Sequence, residues 1–276
     1  MAFSVAAVLE TLALEPVGPD RFRARSLPIE HGVVFGGQLL AQALVAARVG
    51  HEDKAVKTLH TVFARTARPD VALDIIVTRV HEGRALASST VTIQQGERVC
   101  AESVVLLSVD EPDFIRHADT PLAALVPPTG KGPDGGGWQV EIEGGVDISD
   151  PTAVGPPDLN VWSRWTGAPD DPAISQALVA FTTDGFLIGT AMRPHEGVGQ
   201  AQAHVTVSTG VLSHTLTFHE PCHAGEWLLL AHHSSYAGRG RGYGRADVFR
   251  AGGDLVASFV QDSMIRPATR GVSLRL

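Results

Sequence analysis

Gln42-Ala43-Leu44-Val45-Ala46 decides the fold, because the same five letters return as Gln176-Ala177-Leu178-Val179-Ala180. Around them Leu40, Ala43, Leu44 and Ala47 fall at i, i+3, i+4 and i+7, and so do Ile174, Ala177, Leu178 and Phe181. That spacing lays one apolar stripe along a helix, so residues 40–47 and 174–181 are expected as buried helices. A second match lies downstream. Gly83-Arg84 through Gln95-Gly96-Glu97 to Val104 aligns without a gap on Gly240-Arg241 through Gly252-Gly253-Asp254 to Gln261. The chain reads as one unit written twice.

Each helix is followed by four strand-like runs, at 58–66, 72–80, 85–94 and 98–108 in the first half and at 211–219, 227–235, 242–250 and 255–265 in the second. A long apolar helix followed by an antiparallel meander is buried against one sheet face, an α+β layer arrangement. Ahead of the first unit, residues 5–14 read as a helix, 16–20 as a break and 21–25 as a short strand. Between the units, Pro127-Pro128, Gly135-Gly136-Gly137 and Pro156-Pro157 mark a crossing segment with strands embedded at 138–142 and 160–165. The expected division is residues 1–110, a linker over 111–159, and 160–276.

Composition narrows the function. The 276 residues are 44% apolar and 19% charged, which suits two globular units of about 100 to 150 residues each. A formal net charge of -8 argues against a nucleic-acid partner, which needs a basic face. The two cysteines, Cys100 and Cys222, form no CxxC pair, and a reducing cytoplasm is the simpler expectation. Residues 1–14 lack a basic n-region and are interrupted by Glu10, so they read as an amphipathic helix rather than a signal peptide. No apolar run approaches the roughly 20 residues of a membrane span.

Val34-Phe35-Gly36-Gly37-Gln38 leads into the first helix. Paired glycines there either make a tight turn or let a ligand or second backbone come close, and the free N–H groups of a helix start can hold a carbonyl oxygen or phosphate. With this entry, the helix and the duplication in view, the sequence resembles the acyl-CoA thioesterase II (TesB-like) family. Further matching pieces are His60 ahead of Arg68-Pro69, the turn Glu82-Gly83-Arg84, His214 with Phe218-His219 and Pro221, Glu226-Trp227-Leu228-Leu229, and Leu255-Val256-Ala257-Ser258 ahead of Gln261. The resemblance implies a tandem (double) hotdog: two long central helices, each wrapped by an antiparallel sheet, with the sheets joined side by side. It implies hydrolysis of an acyl-CoA to free acid and CoA by an activated water, with no cofactor, and leaves a homo-oligomer open.

In that family an aspartate at the end of the second helix, a hydroxyl residue on the next strand and a glutamine on the last strand do the chemistry. The aspartate matches Asp184 and the glutamine matches Gln261. The hydroxyl position falls on Val211, which has none. Strand alternation puts Thr209 and Ser213 on the same face, with a bulge at Gly210 able to bring Thr209 nearer. Substrate contact is expected at Gly36, Gly37, Gln38 and His60. A carboxylate is a competent base, a glutamine amide both accepts and donates, and helix-start N–H groups can stabilise an oxyanion.

Other readings of these residues stand beside this one. Asp184 before Gly185 could be a turn residue, and Gln261 a satisfied core amide. His219, Cys222, His223 and His232-His233 have the letters of a metal site without its spacing, so no metal is expected. The run from Gly238 to Arg245 is the concentrated basic stretch, either a solvated hairpin or, through Arg241 and Arg245, a contact for CoA phosphates. Two other functions remain open: a non-catalytic acyl-CoA binder, favoured by Val211, and an enoyl-CoA hydratase, for which the closely spaced Asp and His are missing.

Overall fold

The computed structural model describes residues 3–28, 32–120, 124–130 and 136–268. Met1 and Gly135, used above in reading the first helix and the crossing segment, lie outside the described residues. The chain begins with helix α1 (Val5–Leu12) and a small hairpin of strands β1 (Glu15–Gly18) and β2 (Arg21–Ala24). Helix α2 (Gly36–Arg48) follows, then a meander of β3 (Ala55–Phe63), β4 (Leu73–Glu82), β5 (Leu86–Gln95) and β6 (Arg98–Ser108). After the crossing come β7 (Gly137–Ile142) and β8 (Asp158–Thr166), then helices α3 (Pro172–Thr183) and α4 (Leu187–Met192). The chain ends in a second meander, β9 (Val207–Phe218), β10 (Leu228–Gly238), β11 (Arg241–Arg250) and β12 (Leu255–Pro267).

Both repeated pentapeptides therefore lie in helices, and all eight expected strand runs are strands. One local expectation fails. Residues 16–20 do not simply break the chain, because Pro16 sits in β1, the outermost strand of the sheet, where a missing N–H costs no ladder bond.

Among the described residues the strands join one twelve-stranded antiparallel sheet in the order β1-β2-β4-β5-β6-β3-β9-β12-β11-β10-β8-β7. Read outward from the central β3–β9 pair, the two sides repeat the same succession of four meander strands followed by an outer pair. The apolar stripes of α2 and α3 pack against each other and onto this sheet. Leu40, Leu44, Leu178 and Phe181 are completely buried there beside Leu59, Val105, Leu107 and Phe259.

The ladders also correct how the halves correspond. In β3, Val56 and Thr58 pair with Leu107 and Leu106, leaving Lys57 as the extra residue of a bulge. In β9, Val211 and Ser213 pair with Ser263 and Asp262, leaving Leu212 as the extra residue. Aligning these two bulges places His214 on Leu59 and Gln261 on Val105, where the gapless sequence match had set Gln261 against Val104. The one-residue difference matters because strand faces alternate, and Val104 points out while Val105 points in.

No helix among the described residues is long and apolar enough to cross a membrane. No group of three or more His, Cys, Asp or Glu among them could hold a metal ion.

Candidate active site

Asp184 ends α3 and reaches the start of α2. Helix α3 begins at a conventional cap, with the Asp171 carboxylate accepting from the N–H groups of Ala173 and Ile174. Helix α2 has no side-chain cap of its own; instead Asp184 Oδ2 accepts the Gly37 N–H at 2.9 Å. The two glycines permit this. A Cβ on Gly37 would overlap the Phe181 carbonyl oxygen, and one on Gly36 would lie 2.6 Å from Asp184 Oδ2. Of the two uses foreseen for Gly36 and Gly37, the approach of a second backbone is the one built here.

The Asp184 side chain is buried, and its second oxygen, Oδ1, has no hydrogen-bond partner in the protein. Burial pushes its carboxyl up from the ordinary 3.8 to about 7, while the Gly37 N–H pulls the other way. Phe181 meets Phe3, Phe35, Trp138 and Trp165, and Trp138 also meets Phe186, an aromatic cluster at this end of the helix.

A line of polar side chains begins one residue earlier. Thr183 Oγ1 is 3.0 Å from His214 Nε2, His214 Nδ1 is 3.2 Å from Gln261 Oε1, and Gln261 Nε2 is 3.1 Å from Ser263 Oγ. None of the four is more than 3% exposed. Burial drives the His214 imidazole down to about 4, so the ring is neutral at physiological pH. The chain thus ties the end of α3 to Gln261 on β12 through a histidine on β9. Thr183, His214 and Ser263 were not foreseen as site residues. His214 carried a signal, since it shares strand alternation with Leu216 and Phe218, which makes it a titratable group in an inward stripe.

Other expected site residues fall elsewhere. The bulge at Leu212, not Gly210, turns Ser213 to the outer face, where its hydroxyl donates to Asp262 Oδ2 at 3.3 Å. Thr209 does face inward but pairs with Ile265, about 13 Å along the strand from Gln261. Val211 pairs with Ser263, so the nearest hydroxyl stands directly across the ladder. Gln38 is fully buried and holds the chain before α2, accepting from the Leu27 N–H at 2.9 Å and donating to Arg25 O at 3.2 Å. His60 is exposed on the outer face, 2.7 Å from Thr215 Oγ1. Neither of these last two is placed to meet a substrate at Asp184.

Arg241 and Arg245 separate. Arg245 lies exposed in the middle of β11. Arg241 lines a cavity of about 380 Å³ together with Met192, Val198, Val207, Ile265 and Arg266. Ile265 stands two residues beyond Ser263 on β12, so this cavity opens along the same strands that carry Gln261 and His214.

Known proteins resemble this chain over most of its length. Residues 3–108 match the model of the acyl-CoA thioesterase N-terminal domain, and residues 118–265 match that of the acyl-CoA thioesterase C-terminal domain. The acyl-CoA thioesterase 2 of Haemophilus influenzae is 28% identical, over 94% of this chain and 96% of its own. Human acyl-coenzyme A thioesterase 8 is 27% identical, over 94% of this chain and 88% of its own. Among solved structures, the acyl-CoA thioesterase II TesB2 of Mycobacterium marinum superposes with a TM-score of 0.78 at 26% identity, covering 97% of this chain and 99% of that one. A hot dog fold protein from Alicyclobacillus acidocaldarius, at 17% identity, gives a TM-score of 0.71 over 95% of this chain and 99% of its own, a likeness of fold.

Proposed function

We propose how a chain that belongs to the acyl-CoA thioesterase family carries out its reaction, the hydrolysis of an acyl-CoA to a free acid and CoA. The base is Asp184. One observation carries this reading: its Oδ2 is fixed by the Gly37 N–H while its buried Oδ1 has no partner in the protein. A carboxyl raised to about 7 is matched to taking a proton near neutral pH. In the reaction, Oδ1 takes a proton from water as the water oxygen attacks the thioester carbonyl carbon. The carbon–sulfur bond then breaks, and the CoA thiolate leaves with the proton that Asp184 returns.

Gln261 supplies an amide N–H for the water or the growing oxyanion, and the positive end of α2 adds to that stabilisation. Because the Gly37 N–H is committed to Asp184, it is not a free oxyanion donor. Ser263, opposite Val211, stands in for the hydroxyl the family carries at the valine position, replacing Thr209 and Ser213 in that part. The CoA phosphates are taken by Arg241 and Arg266 at the cavity, with Arg245 left out because it lies about 13 Å farther along β11 and does not line the cavity. On this reading residues 1–110 and 160–276 are two hotdogs in tandem, and the linker 111–159 crosses between them while lending β7 to the second.

The test is thiol release over a chain-length panel of acyl-CoAs, with one turnover run in ¹⁸O water. Direct attack by water puts the label in the free acid and leaves no acylated enzyme. A covalent acyl-enzyme, or binding of every CoA ester without release, overturns the reading.

A further inference from the structure

Thr183 and His214 face each other across 3.0 Å, and counting hydrogens there fixes the orientation of Gln261. At the end of α3 the Asp184 N–H turns to Thr182 O, so the Ala180 carbonyl loses its helical donor. The Thr183 hydroxyl lies 2.8 Å from that carbonyl and donates to it, since a carbonyl can only accept. With its one hydrogen used, Thr183 Oγ1 can only accept from His214. Nε2 of the imidazole must therefore carry the proton.

We propose that His214 is the positioning residue of the site: as the Nε2–H tautomer it presents a bare Nδ1 that holds the Gln261 amide nitrogen and so sets which end of the amide faces the substrate. The amide oxygen then faces Ser263 Oγ, whose hydroxyl donates to it. The two ends of an amide have the same shape and differ only in hydrogens, so this arrangement keeps the 3.2 Å and 3.1 Å contacts as they stand. Along this line the second N–H of Gln261 is the one donor without a partner among the described residues, and it is left for the water or carbonyl. The ring plane is set by stacking on Phe259 at 5.4 Å between centroids, and hydrogen bonds at both nitrogens set its orientation within that plane. Its neutrality, which burial favours, agrees with a single ring proton.

The inference rests on Gln261 acting at the thioester, and the experiment keeps the two apart. In protein labelled with ¹⁵N histidine, long-range ¹H–¹⁵N spectra at neutral pH should show His214 as the Nε2–H tautomer, assigned by its absence from His214→Leu. Leucine occupies the equivalent buried position, Leu59, so that variant should fold. Its kcat should fall about tenfold to a hundredfold with KM little changed. His214→Asn, which can keep an acceptor near Nδ1, should recover part of the loss. In a Gln261→Ala background, His214→Leu should add almost nothing. An Nδ1–H tautomer, a cationic ring, or a His214→Leu enzyme with full kcat beside a slow Gln261→Ala enzyme removes the role of His214. A Gln261→Ala enzyme with full kcat removes the underlying reading instead.

Discussion

The two halves put different chemistry at matching places on one scaffold. Inside the second meander the positions are His214, Gln261 and Ser263; inside the first, the bulge-aligned counterparts are Leu59, Val105 and Leu107, all fully buried. Eight residues beyond the repeated glutamine, α3 leads to Asp184, whereas α2 leads to Gly50 at a φ of +80°. The repeated glutamines differ too. Gln176 clamps the bulge of the first half, accepting from the Val56 N–H and donating to its carbonyl, while Gln42 turns away to Thr11 O and Arg25 O. The Val211 bulge therefore has no such clamp from Gln42. The first half is closed with apolar side chains and an amide plug; the second exchanges that cheaper packing for polar groups that must be satisfied in the dry. On the proposed reading the catalytic side chains belong to the second half, with the first half contributing the Gly37 N–H that holds Asp184.

The largest expected effect follows from removing the group with no counterpart in the first half. Asp184→Asn should lower kcat about 100-fold to 10,000-fold with little change in KM. The same change should stabilise the fold at high pH. The folded carboxyl is raised from 3.8 to about 7. The stability that its protonated form gives is full below the unfolded value and lost as pH rises to the folded one. Thermal melts should thus show the variant gaining on wild type between about pH 4 and pH 7, by up to a few kcal/mol, and levelling off above. A variant that is slow but gains nothing over that range would separate catalysis from burial.

A swap between the halves is the next test. Gln261→Val, which copies Val105, should cost about 100-fold in kcat and leave the fold intact. Its mirror, Val105→Gln, buries an amide with no partner and should cost about 1–3 kcal/mol in a melt while leaving kcat alone. If the mirror variant changes kcat as much as Gln261→Val does, the division of labour is wrong.

The smallest effect belongs to the rim. Charge reversal of Arg241 and Arg266 together should raise KM for acyl-CoA about tenfold at low salt, less as salt screens the pair, with kcat nearly constant. The same reversal at Arg245, about 13 Å along β11 from Arg241 and outside the cavity lining, should leave KM unchanged.

Much of this was legible in the sequence for a physical reason. Helices announce themselves by a stripe every three to four residues, and Leu40 to Ala47 repeats it at Ile174 to Phe181. Asp184 and Gln261 were pointed to by the family resemblance, since periodicity alone also allows a turn aspartate and a core amide. Faces beyond a bulge were not, because one extra residue at Leu212 reverses the alternation and sends Ser213 outward. Gln38 and His60 sit in stretches that match the family, but a match does not say which way a side chain points. The Thr183–His214–Gln261–Ser263 line joins three elements distant in sequence, so only the folded chain assembles it.

The central claim, that a buried Asp184 with a carboxyl near 7 is the base, is tested most directly by the pH dependence of kcat/KM on one good acyl-CoA. His214 is held near 4 and cannot supply an ionisation in this range. The account predicts a plateau above about pH 7 and a fall with unit slope below it, following one group that ionises near the value burial gives Asp184. A rate that stays level from pH 5 to pH 8 would contradict it, because an ordinary carboxylate would already be ionised throughout and the raised carboxyl of Asp184 would have no part in the reaction.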